Sequence, residues 1–110
     1  MSERSQSAWL QDIRQAISSI IEYTQSMDYD DLLEDRRTQD AVIRNLEVMG
    51  EAVKHLTADS KDRFPGIPWP AIAGMRNTLI HEYFGVNLDI VWEVIRDDLP
   101  VIYEKLMSVN

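Results

Sequence analysis

Between Arg76 and Tyr83 the chain reads Arg-Asn-Thr-Leu-Ile-His-Glu-Tyr, placing an arginine, an amide, a histidine and a phenol within about two helical turns. Arginine is a permanent forked cation that matches the oxygens of a phosphate. Histidine is the side chain whose ordinary pKa lets it take and give protons near neutrality. Together they are the equipment for chemistry on a phosphodiester. Arg76 and Tyr83 lie on nearly the same face of an ideal helix, and Asn77 lies one turn below His81, but Arg76 and His81 are about 140° apart. The two cannot grip one phosphate from the middle of a straight helix in a single chain. Either the helix unwinds near His81, which Gly85 permits, or two copies of the chain complete one pocket.

The spacing Arg76-x4-His81-x-Tyr83, with polar Asn77 after the arginine, resembles the signature of the HepT toxins, small helical ribonucleases of the HEPN superfamily. Two further segments carry the likeness, so that it covers most of the chain. Residues 44–52 (Arg-Asn-Leu-Glu-Val-Met-Gly-Glu-Ala) resemble the family's second helix, and residues 64–69 (Phe-Pro-Gly-Ile-Pro-Trp) resemble the loop leading into the signature helix.

The resemblance implies a homodimer with the signature helices facing a shared groove, and metal-independent cleavage of RNA by attack of the ribose 2'-hydroxyl on the adjacent phosphorus. His81 is then the general base or acid, Arg76 neutralises charge on the phosphoryl oxygens, and Asn77 orients His81 or the phosphate. It also implies a partner, a minimal nucleotidyltransferase antitoxin that transfers adenylyl groups from ATP to Tyr83. A bulky anion beside Arg76 and His81 would fill the groove and compete for the same cation. The chain itself then needs no cofactor, and ATP is used only by the partner. Arg44 can support the groove from the second helix, or pair on the surface with Glu47 or Asp40. Glu51 is a further support candidate or an ion-pair partner of Arg76.

The expected function is thus the toxin of a type II toxin–antitoxin system, an endoribonuclease silenced by adenylylation of Tyr83. A rival from another class is a non-catalytic nucleotide- or substrate-binding subunit of a nucleotidyltransferase complex, in which Arg76 merely grips phosphate.

These residues need a frame, and length supplies one: 110 residues make one domain, 1–110, that buries roughly two thirds of its unfolded surface. With no cysteine, disulfides and thiolate zinc sites are excluded. Residues 1–7 lack the apolar core of a signal peptide and no apolar run reaches membrane-spanning length, so a cytoplasmic location without membrane contact is expected. The net charge of -8 has the wrong sign for a surface that binds nucleic acid broadly, so RNA contact must be confined to a small basic pocket.

Apolar periodicity then predicts an all-α, four- to five-helix up-down bundle of HEPN type. Trp9, Ile13, Ile17, Ile20, Thr24 and Met27 mark a first helix over about 7–27. After turn-forming acids at 28–31, Leu32-Leu33 can form a short helical turn. Val42, Leu46, Met49, Val53 and Leu56 mark a second long helix, capped by Thr38 or Asp35, with Gly50 suggesting a close helix crossing. Asp59 and Ser60 are candidate caps of one short turn. Three prolines between Pro65 and Pro70 make an ordered connector, and Pro70 suits the first turn of the signature helix, expected over about 70–82 and ending near Gly85. Asn87 should cap the last helix, whose stripe Leu88, Val91, Ile95, Leu99, Ile102 and Leu106 keeps its phase past Pro100. That predicts one long helix kinked near Pro100, the alternative being a break at Asp97-Asp98. Glu47, Glu51 and His55 stand at four-residue steps but read as a solvated face, so no metal site is expected.

Overall fold

Five polar residues, Ser5, Asp28, Asp35, Thr57 and Asn87, each start a helix by accepting a hydrogen bond from an orphan backbone N–H of its first turn. The computed structural model describes residues 4–80 and 87–108, the side chains of residues 76–80 apart. Its helices are α1 (Gln6–Thr24), α2 (Tyr29–Glu34), α3 (Arg36–Lys54), α4 (Ala58–Asp62), α5 (Trp69–Ile80), α6 (Leu88–Glu93) and α7 (Leu99–Ser108), with a π-helical turn, Val94–Asp98, joining the last two. No strand occurs among the described residues.

The helices run up and down. The Gln6 side chain at the start of α1 donates to the His55 carbonyl and accepts from the Thr57 N–H, both at the end of α3. Arg14 in the first half of α1 donates to the carbonyl of Leu106 near the end of α7. α3 sits between α1 and α5, and α1 also packs on α7. Between them Ile13, Ile17, Ile20, Leu46, Met49, Ile72, Leu99 and Leu106 are fully buried, the three- and four-residue spacing of each helix having turned one apolar stripe inward. Gly50 is buried on α3 with them.

Five local outcomes refine the expectations. α1 stops at Thr24, short of Met27, because its end is closed from elsewhere: Arg96 donates to the carbonyls of Thr24 and Met27 while its guanidinium lies 4.4 Å from the Trp92 ring centroid. A cation at a helix C-terminus also opposes the negative end of its dipole. Buried Thr24 has its hydroxyl satisfied by the Ile20 carbonyl at 2.8 Å.

The acids at 28–31 build a helix start rather than only a turn. Asp28 accepts from the Asp31 N–H at 2.9 Å and the Asp31 carboxylate accepts from the Asp28 N–H at 3.0 Å, a reciprocal capping box. Of the two cap candidates for α3, Asp35 takes the role, with Thr38 donating to it through both N–H and hydroxyl. For α4 the cap is Thr57, not Asp59 or Ser60: the Ser60 N–H donates to the Thr57 hydroxyl oxygen at 3.1 Å, and Ser60 is buried one turn on.

Pro100 neither breaks the helix nor leaves a gap. The preceding turn widens instead, and the Leu99 N–H reaches five residues back to the Val94 carbonyl. A proline has no N–H to give and crowds the carbonyl four residues before it, so one widened turn relieves both problems. Val91, Val94, Ile95, Leu99, Ile102 and Leu106 all stay buried across the turn.

Candidate functional site

The connector before α5 is held as firmly as a helix. Phe64, Ile67 and Trp69 are buried, the Trp69 indole donates to the Lys61 carbonyl at 3.1 Å, and the Phe64 and Trp69 rings meet edge-on at 6.4 Å. Lys105 of α7 donates to the Gly66 carbonyl at 2.9 Å. The Ile72 N–H then bonds the Pro68 carbonyl as the first turn of α5. Pro70 falls in that turn, where its missing N–H costs nothing. α5 is therefore launched in a fixed direction against α3, and a helix carries that direction to its far end.

Arg76 and Asn77 are adjacent residues in the second half of α5, within continuous helix. His81, Tyr83 and the expected terminator Gly85 lie outside the described residues. α5 itself has an unusual composition for a helix of an acidic chain. From Trp69 to Met75 it holds no charged residue, and although Trp69 and Ile72 are buried, Pro70 and Ala71 are exposed and Ala73, Gly74 and Met75 half-exposed. Apolar residues thus point outward as well as inward. A Cβ placed on Gly74 would meet no atom within 4 Å among the described residues. Beside it, Ala71, Met75 and the 49% exposed Val101 line a groove of about 470 Å³ between α5 and α7, with Asp97, Asp98 and Lys105 at its margin.

Arg44 is exposed on α3, the helix against which α5 packs, and makes no ion pair among the described residues. The Asp40 carboxylate goes to Arg36 at 3.4 Å instead. Glu51, two turns beyond Arg44 and on the same face by spacing, approaches His55 Nε2 at 3.4 Å. His55 in turn stacks on Trp9 with ring centroids 4.2 Å apart and planes within 6°. No group of three His, Cys, Asp or Glu close enough to hold a metal ion occurs among the described residues, so Glu47 does not join Glu51 and His55 in one. Nor is any helix among them long and apolar enough to cross a membrane.

One concentration of positive charge escaped the sequence: Arg14 of α1 and Arg63, just past α4, flank the Phe64 ring from two elements far apart in the chain. No local spacing signals it, because only the packing of the α4–α5 connector onto α1 brings the two together.

Comparison with known proteins agrees with the helical frame. The family model described as "Ribonuclease HepT-like" matches residues 13–109. The "Probable ribonuclease HepT" of Thermococcus cleftensis is 44% identical over 107 residues, covering 94% of this chain and 97% of that protein. Two proteins of Methanocaldococcus jannaschii are similar over comparable spans. "Putative RNase MJ1380" is 37% identical over 106 residues, 96% of this chain and 97% of its own length. "Putative RNase MJ0127" is 43% identical over 100 residues, 91% and 83% respectively. No solved structure matches the chain.

Proposed function

Because the chain belongs to the HepT-like ribonuclease family, we propose that this endoribonuclease is the toxin of a type II toxin–antitoxin pair, cutting RNA without metal in a groove shared by two copies and silenced by adenylylation of Tyr83. The observation that carries this reading is the run from Arg76 to Tyr83: it lies inside the matched span 13–109 and leaves the far end of α5, the helix that the buried connector aims.

In the reaction, the 2'-oxygen of a ribose bonds to the adjacent phosphorus as the bond to the 5'-oxygen of the next nucleotide breaks, leaving a 2',3'-cyclic phosphate and a free 5'-hydroxyl. His81 takes the 2'-proton or delivers one to the leaving oxygen, a role worth about 10²- to 10⁴-fold. Arg76 donates to the non-bridging oxygens where negative charge builds, and Asn77 holds the histidine or the phosphate through its amide. Arg44 and Glu51 edge the groove from α3.

A second copy is favoured by two separate considerations. On an ideal straight helix Arg76 and His81 would diverge by about 140°, so one copy with that helix unbroken could not aim both at a single phosphate. α5 also leaves Ala71, Gly74 and Met75 without full cover beside an apolar groove, a surface that a second α5 can close. The acidic exterior, at net charge -8, restricts RNA to local clusters of positive charge and suits a basic face on the nucleotidyltransferase partner. ATP enters only as that partner's substrate.

The test is cleavage by the purified, unmodified chain. RNA should be cut to products ending in 2',3'-cyclic phosphate, in the presence of chelator, and His81→Ala should stop it. Cleavage undiminished in His81→Ala would refute the assignment. For control, intact-mass spectrometry after incubation with the partner and ATP should show adenylyl groups on the wild type and none on Tyr83→Phe, which keeps the ring and removes only the acceptor oxygen. Equal gain in both would remove Tyr83 from the account.

A further inference from the structure

We propose that Arg14 and Arg63 form a second, non-catalytic station for the RNA backbone, separate from the signature at the end of α5. The guanidinium carbons lie 5.9 Å and 5.8 Å from the centroid of the buried Phe64 ring, within the range of a cation–π contact. The ring therefore gathers a cation from each of two elements. Neither is neutralised: no ion pair joins Arg14 or Arg63 to a carboxylate among the described residues, and Asp12 of α1 is already taken by Arg4 at 2.7 Å. Two arginines at one ring, neither in an ion pair among the described residues, are unusual in a chain where acids outnumber bases nineteen to eleven.

Their surroundings fit a phosphate chain rather than an acidic protein side. The arginines line a depression of about 380 Å³ together with Ser7 and Gln11, which supply uncharged hydrogen-bonding groups. It shares Gln11, Arg14 and Met107 with a neighbouring depression of about 440 Å³, which continues along α1 past Gln15, Ser18 and Ser19 to Glu22 and meets half-buried Tyr103 of α7. From Ser7 to Ser19 the α1 residues that line the two depressions span about 18 Å and include one charge, that of Arg14, with the Glu22 carboxylate beyond them. A polar track with cations at one end and an aromatic ring beside it is how single-stranded nucleic acid is held without regard to sequence. Arg14 is prepositioned by its hydrogen bond to the Leu106 carbonyl at 3.3 Å, and exposed Arg63 completes the pair.

The station deepens the ribonuclease reading and rests on RNA being the substrate, but its test does not depend on catalysis. Binding of a fluorescein-labelled oligouridylate to the full-length His81→Ala protein is followed by anisotropy over a salt series. Each phosphate contact with single-stranded nucleic acid contributes a slope of about 0.7 in log K against log salt. Arg63→Gln should lower the slope by about that amount, and Arg63→Lys, which keeps the charge, should retain it. Arg14→Gln should do the same as Arg63→Gln, but because it also frees the Leu106 carbonyl, Arg63 carries the decision. An unchanged slope in Arg63→Gln overturns the proposal. So does an unchanged slope accompanied by weaker capture of the nucleotidyltransferase, which would make the pocket a protein contact. Failure of the wild type to cleave leaves the slope measurement standing and counts against the catalytic assignment alone.

Discussion

α3 and α5 are neighbours in the bundle, yet they use apolar residues in opposite ways. On α3 the stripe of Val42, Leu46, Met49 and Val53 is fully or almost fully buried, and apart from exposed Val48 and half-buried Ala41 and Ile43 the remaining faces are mostly polar and charged. The stripe is covered within the chain. On α5, among residues 69–75, only Trp69 and Ile72 are buried, while the same stretch shows proline, alanine, glycine and methionine to the outside. A helix that is apolar on more sides than its own chain covers is a helix shaped for something beyond that chain. The difference separates a residue's stabilising work from its functional work: α3 is where substitution should cost folding, and α5 is where it should cost activity.

The largest effects should fall on either side of that division. His81→Ala should lower cleavage by about 10²- to 10⁴-fold with an unshifted melting curve. Leu46→Ala should do the reverse, costing about 2–5 kcal/mol of stability while the folded fraction keeps its specific activity. A melting point that drops with His81→Ala would erase the distinction.

Gly74→Leu sharpens it further. The position is open among the described residues and sits in helix, where replacing glycine gains roughly 1 kcal/mol of propensity, so the variant should melt no lower than wild type. If a second copy covers that face, the added side chain keeps the two apart, and sedimentation should show monomer with cleavage lost. A Gly74→Leu protein that remains dimeric and active would place the shared groove elsewhere.

The smallest effect lies on the α3 side and depends on pH. Hydrogen bonds from the Thr38 N–H and hydroxyl hold the Asp35 carboxyl below its ordinary pKa, aided by the nearby Arg37 charge. A carboxylate depressed in the folded state stabilises above its unfolded value, and that stability is lost as pH falls through the folded value. Wild type should therefore lose melting temperature below about pH 4 more steeply than Asp35→Asn, which can still cap but cannot titrate there. Parallel acid profiles would show that the cap is not coupled to protonation.

How far the sequence discloses all this follows the same division. Periodic burial is a property of single helices, so α1, α3 and the last helix are legible from their own residues. Short-range chemistry is legible as well, as Asn87 beside the first turn of α6 shows, whereas the run from Arg76 to Tyr83 is legible only as a pattern of residue types. What is not legible is decided between elements. Arg96 closes α1 from far along the chain, so nothing near Met27 announces that the helix has already ended. Pro100 marks a disturbance, but the residue pattern is the same whether the turn before it bends or widens. Thr57, Asp59 and Ser60 are all competent caps, and the choice depends on which one the turn after α3 leaves in extended conformation. Arg14 and Arg63 gain meaning only once both are packed at the Phe64 ring.

The grip of Arg96 on Thr24 also sets an order of events on the ribosome. The carbonyl and its donor are 72 residues apart. At about 5–20 residues per second, the guanidinium is synthesised on the order of 4–14 seconds after the helix it finishes. The face of α1 that Leu99 and Leu106 will cover waits longer still, and α5 with its signature emerges in between. A chain cut off just after the signature therefore lacks both the cation that closes α1 and the α7 residues that pack against it.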